Sequence, residues 1–276
     1  MMSTTHSSFN IDAVSQPSGT SDWSTLRRTF HGFTTPASAS HILQSCVPEL
    51  SAGSFEISNC TILDARLKTY LKPASRIKST LSACYHIQLK GQSAGQSSQR
   101  IIYVKVFLGN RSREAFHLFV QKGMSPPEFH NSPIHIPEHD LILWRFPHDP
   151  ALPHLHQLID LTAVERYLPT EGLNQIGMSR TPRVLESHVV NYRPEVRCTN
   201  RYDLHDPIQN RTYQLFGKTF HNGDGRSLSR RLDYFWNQSL ANSDAMAVAR
   251  PLGYSEHTHT VWQLGVLGTP LLQILD

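Results

Sequence analysis

Tyr103-Val104-Lys105-Val106-Phe107 and Phe216-Gly217-Lys218-Thr219-Phe220 spell one pattern twice: a short β-forming run with a central lysine and a phenylalanine two places on. Runs of β-branched and aromatic residues bounded by Gly, Asn and Ser predict strands. A stretch with helical spacing follows each copy. Arg113 to Val120 carries Ala115, Phe116, Leu118, Phe119 and Val120 as its apolar stripe, and Arg226 to Leu240 follows the second lysine. Further landmarks recur in the same order. Lys72-Pro73-Ala74-Ser75-Arg76 is matched by Arg193-Pro194-Glu195-Val196-Arg197, and Leu143-Trp144-Arg145-Phe146 by Val261-Trp262-Gln263-Leu264. Leu152-Pro153 with Leu158-Ile159-Asp160 is matched by Thr269-Pro270 with Ile274-Leu275-Asp276. Such an ordered set marks an internal repeat whose copies are supersecondary units.

Working outward, Ser54-Phe55-Glu56-Ile57 and Tyr85-His86-Ile87-Gln88-Leu89 alternate polar and apolar residues and read as strands. The Gly/Ser/Gln-rich stretch Lys90 to Gln99 reads as the hairpin between two strands. Leu141 to Phe146 is a further strand, reached through the proline-rich Met124 to Pro137. Residues 1–50 are Ser/Thr-rich and are expected to be disordered, because they hold too little apolar surface to offset chain entropy. The expected organisation is then a first repeat over 51–165, a linker over 166–183 and a second repeat over 184–276.

Composition narrows the function classes. Hydrophobic residues make up 39% of the chain, which is enough for globular cores and too dispersed for a bilayer-spanning run. The net charge is +4, but no block of five or six Lys/Arg occurs, so no nucleic-acid patch is indicated. Met1 to Thr20 lacks a basic, then apolar, leader pattern. The four cysteines, Cys46, Cys60, Cys84 and Cys198, are scattered without a Cys-x-x-Cys pair. Together these lead to the expectation of a cytoplasmic protein with reduced thiols and neither membrane nor nucleic-acid partners. Neither a P-loop, nor a Gly-x-Gly-x-x-Gly turn, nor a Gly-x-Ser-x-Gly elbow is present, which removes the standard support for NTPase, dinucleotide-binding and hydrolase readings.

Strand, tight turn, strand, hairpin, lysine strand, helix and two strands is the element order of a protein-kinase-like N-lobe. The second copy is the sharper match. Tyr192 to Tyr202, Phe216-Gly217-Lys218, Arg250 to Tyr254, and Trp262-Gln263 to Gly268-Thr269-Pro270-Leu271 resemble aminoglycoside phosphotransferases and maltokinase-like relatives. The resemblance covers about 184–276, and 54–160 more loosely. It implies an α+β fold made of a duplicated N-lobe, each copy an antiparallel sheet plus helix, with the C-lobe absent. It also implies a nucleotide site. The turn Pro194 to Arg197 would lie over the phosphates, with Arg197 beside them and Lys218 on the α/β-phosphates. Gln263, Leu264 and Gly265 would present backbone groups to adenine, and Asp233 would orient the lysine. ATP is the implied cofactor, with Mg²⁺ only if a C-lobe supplies its ligands from a longer frame or a second chain. The activity implied is phosphoryl transfer to a small hydroxylated molecule.

The same residues have plainer readings. A strand lysine can simply be solvated, and Glu114, which follows Lys105, can be an ordinary helix glutamate. The turn at Pro194 lacks the glycines that wrap phosphates, and His221-Asn222-Gly223-Asp224 reads as a turn rather than a catalytic loop. With no catalytic base and no metal-ligating set in the expected places, no catalytic and no metal residue is assigned. The chain is expected to be inactive alone: the truncated front of a kinase-like phosphotransferase or, alternatively, a non-catalytic interaction protein or remnant built on duplicated lobes. His154-x-His156 and His257-x-His259 have ligand spacing but lack a completing group in the sequence.

Overall fold

The computed structural model describes residues 30–71, 77–91, 97–107, 111–121, 133–178, 182–241 and 248–266. The chain divides into two units, Met1–Pro150 and Ala151–Asp276. Each is an antiparallel five-stranded sheet with helices, so the architecture is α+β.

The first unit runs α1 (Pro36–Cys46), α2 (Pro48–Ser51), β1 (Phe55–Leu71), β2 (Ile77–Gly91), β3 (Ser97–Val106), α3 (Ser112–Gln121), β4 (Ile134–Ile136) and β5 (Leu141–Arg145), in the sheet order β1-β2-β3-β5-β4. Alternation along the strands builds two apolar layers, because successive side chains leave opposite faces. Leu81, Tyr85, Ile87, Ile102, Val104, Val106, Leu141 and Leu143 bury one face with Phe30, Phe33, Ala39 and Leu43. Tyr103, Phe107, Ile142 and Trp144 bury the other against Ala115, Phe116 and Phe119 of α3. The expected disorder of residues 1–50 is thus corrected for 30–50. Phe30, Phe33, Leu43, Val47 and Leu50 are few, but they recur at helical spacing and are all buried. Residues 1–29 lie outside the described residues.

The second unit runs α4 (Leu155–Ile159), α5 (Leu161–Val164), α6 (Thr170–Gln175), β6 (Arg183–Arg193), β7 (Arg197–Asp206), β8 (Arg211–Phe220), α7 (Asp224–Ala241), β9 (Pro251–Ser255) and β10 (Thr260–Leu264). Its sheet order, β6-β7-β8-β10-β9, repeats that of the first. Leu158, Val164, Leu168, Leu173 and Met178 pack with Tyr202, Leu204, Leu215, Leu252 and Trp262. Residues 151–178, expected to end the first repeat and begin a linker, are therefore the helical layer of the second unit. Their apolar residues are spaced for short helices rather than for a connection. No described helix is long and apolar enough to cross a membrane.

The two sheets agree residue by residue around their lysines. Lys105 pairs with Ser82 and Ile142; Lys218 pairs with Thr199 and Val261. Three residues beyond Ser82 and Thr199 stand Tyr85 and Tyr202, both fully buried. Tyr85 Oη donates to the Phe33 carbonyl at 2.6 Å and Tyr202 Oη to the Leu158 carbonyl at 3.0 Å. The Phe107 amide donates to Asp140 O at 2.8 Å and the Phe220 amide to His259 O at 3.1 Å. Asp140 and His259 both take the left-handed conformation, at φ 47° and 51°. The first strand of each sheet, one of its two edges, carries two bulges, between Ile57/Asn59 and Ile62/Asp64 in β1 and between Val184/Glu186 and Val189/Asn191 in β6.

The tryptophans do not follow the lysines. Trp144 pairs with Tyr103 and stacks on it, whereas Trp262 pairs with Gly217 and faces the opposite layer. Ile142, not Leu143, is the counterpart of Val261, so the sequence match at this strand is one residue out. Gly217 explains the switch: a Cβ there would lie 2.9 Å from Trp262 Cζ3, so the absent side chain makes the indole's space. The matches at Lys72–Arg76 and Thr269–Asp276 lie outside the described residues.

Gly172 lets α6 approach β9, because a Cβ there would sit 2.1 Å from the Leu252 carbonyl oxygen, whereas Gly223 has open space around it. Gly172→Ala is expected to lower stability by about 1–3 kcal/mol, the usual cost of overpacking. Gly223→Ala should stay within about 0.5 kcal/mol. Urea midpoints of the two variants check the contrast.

Candidate functional site

Of the residues nominated from the sequence, Arg197, Lys218 and Gln263 fall on the face of the second sheet that carries α7, whereas Leu264 packs on the opposite face with Trp262. Residues directly opposite in an antiparallel pair share a face. The register therefore sets Arg193, Arg197 and Phe220 in one row, Asn191, Thr199, Lys218 and Val261 in the next, and then His188, Arg201, Phe216 and Gln263. The last row holds Glu186, Asp203 and Gln214. Gly225 places the start of α7 on this face: a Cβ there would meet Tyr254, Phe220 and Val261. Beyond it the helix is mostly exposed, with Tyr234, Phe235 and Leu240 open to solvent.

Lys218 lies half-buried with its Nζ 5.4 Å from the centre of the Phe220 ring. Burial first, and the neighbouring Arg197 second, hold its ammonium below the ordinary 10.5. Arg197 Nε is itself buried and has no hydrogen-bond partner among the described residues. Arg193 stands directly opposite Arg197 across the β6–β7 turn, which is closed by Val196 N–H to Arg193 O at 3.1 Å, with Glu195 left-handed at φ 58°. The turn thus has the tight form expected, and it gathers cations: Arg197 and Lys218 come together as nominated. Arg193 was visible in the repeat, and its pairing with Arg197 needed only the assumption of a tight turn.

Asp233 does not join them. It is exposed on α7, and burial alone raises its carboxyl from the ordinary value, with no contribution from Lys218. The proposed adenine-facing strand is also occupied. Gln263 is laddered between Phe216 and Pro251. The Leu264 amide donates to Arg250 O at 2.9 Å and the Gly265 amide to Gln214 O at 2.6 Å. These amides serve the sheet rather than a base edge.

The two His-x-His motifs meet in this unit. His154 and His257 lie with ring centres 4.3 Å apart, and Tyr167 stacks on His257 at 5.9 Å. Gln157 Oε1 receives Tyr167 Oη at 2.8 Å and His154 Nδ1–H at 3.3 Å. Burial first, then His257, hold His154 below the ordinary imidazole value of 6.5. Sequence spacing showed each motif singly; their meeting depends on the turn between β9 and β10.

No family model, no curated protein and no solved structure matches the chain.

The two shifts give two expectations. NMR titration of Lys218 should show a midpoint below 10.5 that rises in Arg197→Gln and stays put in Asp233→Asn; a response to Asp233 would restore that carboxylate as the lysine's partner. For His154 the folded value lies below the unfolded one, so the unfolded chain binds more protons in that interval and stability rises with pH. Acidification below pH 6.5 should therefore destabilise the second unit, and His154→Gln should reduce that loss in pH-dependent melting.

Proposed function

We propose that the chain is a non-catalytic interaction protein built on two like lobes, and that its second lobe binds an acidic polypeptide segment through Arg193, Arg197 and Lys218. The observation that carries this reading is the cation cluster at the β6–β7 turn. Arg193 directly opposes Arg197, Arg197 depresses Lys218, and no carboxylate acts on Lys218 among the groups that shift it. Like charges opposed across a strand pair cost stability unless something offsets them. A carboxylate brought from outside offsets the repulsion.

A polypeptide is favoured over a nucleotide because the amides of Leu264 and Gly265, which an adenine edge would need, already donate within the sheet. The element order, the central lysine and the following helix support reading each unit as a duplicated kinase-like N-lobe. On that reading the second copy has kept the lysine's place while its surroundings favour an anion without a base attached.

Fluorescence anisotropy with a labelled glutamate-rich peptide, set beside titration with Mg-ATP, tests the choice. The peptide should bind the full chain. Lys218→Ala or Arg197→Ala should weaken it about tenfold, the ~1.5 kcal/mol of a charge-assisted hydrogen bond, whereas Lys105→Ala should not. Binding of Mg-ATP that disappears in Lys218→Ala, with the peptide left unbound, would overturn the proposal in favour of the nucleotide-binding lobe.

A further inference from the structure

We propose that Glu186, His188 and Asp203 form a binding site for a divalent transition cation of the zinc class. One ligand atom from each of the three lies within 4.8 Å of the other two. Glu186 and His188 come from β6 and Asp203 from β7, and Glu186 stands directly opposite Asp203. Counted from the turn, the bulge between Val189 and Asn191 creates this opposition. It lets Val190 drop out of the ladder, so that Glu186 rather than Ser187 faces Asp203. Bulges commonly re-aim a side chain beside a site.

The arrangement has a cost that a cation removes. Two carboxylates directly opposed on neighbouring strands repel. His188 Nε2 at 2.7 Å from Glu186, and Arg201 at 3.4 Å from Asp203, offset part of that repulsion. A doubly charged ion between the carboxylates offsets it fully and takes the imidazole nitrogen as its third ligand. Asp203 is held for this role, since Gln214 Nε2 from β8 donates to its Oδ1 at 3.2 Å while Arg201 reaches Oδ2. Hydrogen bonds that orient a coordinating carboxylate are what metal sites place around their ligands. One imidazole with two carboxylates suits zinc and its neighbours better than magnesium or calcium, which take all-oxygen sets. All three side chains are reachable from solvent, which leaves the remaining coordination positions to water.

The signal was hard to find in the sequence. Glu-x-His is a two-residue fragment, and its third member joins it only through strand register. The site is separate from the arginine–lysine cluster proposed to hold an acidic segment, and it uses none of those residues.

The test is calorimetric titration of the metal-free full chain with Zn²⁺ and, in parallel, with Mg²⁺, together with thermal melting in each ion. The wild type should bind Zn²⁺ and melt at a higher temperature in its presence, because an ion that binds only the folded state stabilises it. Mg²⁺ should do neither. His188→Ala and Asp203→Asn should each reduce Zn²⁺ affinity at this site by at least about tenfold and abolish the melting shift. His154→Ala serves as the control for ions held by the other histidines and should leave the melting shift intact. Both variants should still melt cooperatively without metal, which shows that the fold survives. The proposal is overturned if His188→Ala and Asp203→Asn bind Zn²⁺ with wild-type stoichiometry and affinity, or if the shift disappears only in His154→Ala.

Discussion

In each unit a buried tyrosine hydroxyl reaches from the second strand of the sheet to a backbone carbonyl in the layer beneath: Tyr85 to Phe33, and Tyr202 to Leu158. A hydroxyl in that environment needs its acceptor, because an unmet one costs the full price of desolvation. The bond therefore fixes more than one contact. A slip of one residue would carry the tyrosine to the opposite face and strand it there. With the tyrosine placed, Ser82 or Thr199, three residues away, must face the other side, and each stands beside a lysine. The lysine strand, its phenylalanine, the left-handed turn residue and the helix that follows all inherit their orientation from this choice.

The second sheet uses that orientation to sort charge along one strand pair. Arg193 and Arg197 oppose each other near the turn, and Glu186 and Asp203 oppose each other toward the far end, on the same face. His188 and Arg201 lie between them and lean on the carboxylates. The first sheet places Thr80, Ser82, Cys84 and His86 at the positions corresponding to Arg197, Thr199, Arg201 and Asp203, so the charge pattern belongs to one unit and not to the shared architecture. Architecture is common to the two halves, and chemistry is not.

Much of the architecture could be read from the chain because β-strand spacing is direct. Tyr103 to Phe107 and Phe216 to Phe220 named equivalent strands, with their lysines in register and a helix after each. The tryptophans misled because Trp144 and Trp262 look alike in sequence, while only the local partner, Tyr103 or Gly217, decides which face an indole can occupy. The helices over residues 36–51 and 155–175 were hidden because each is short and set among Ser, Thr, Pro and Gly. Their burial is bought by the sheet beneath them rather than by their own propensity. Of the nominated site, Arg197 and Lys218 meet, since their strands pair. Asp233 stays apart because helix rotation, which spacing alone did not settle, turns it to solvent. The Glu186–His188–Asp203 group depends on a bulge, and no local pattern announces a bulge.

Those bulges have a further consequence. An edge strand of 17 residues such as β1 would, if regular, expose a long row of amide and carbonyl groups to any neighbouring chain. The paired breaks interrupt that row. Between them only Asn59 to Ile62 in β1 and Glu186 to Val189 in β6 keep an unbroken ladder. Stacking into a cross-β fibril takes segments of about six or seven residues. The breaks thus cut β6 below that length throughout, whereas β1 keeps one unbroken run, Asp64 to Leu71, so only in the second sheet is the long edge too interrupted to template a neighbour.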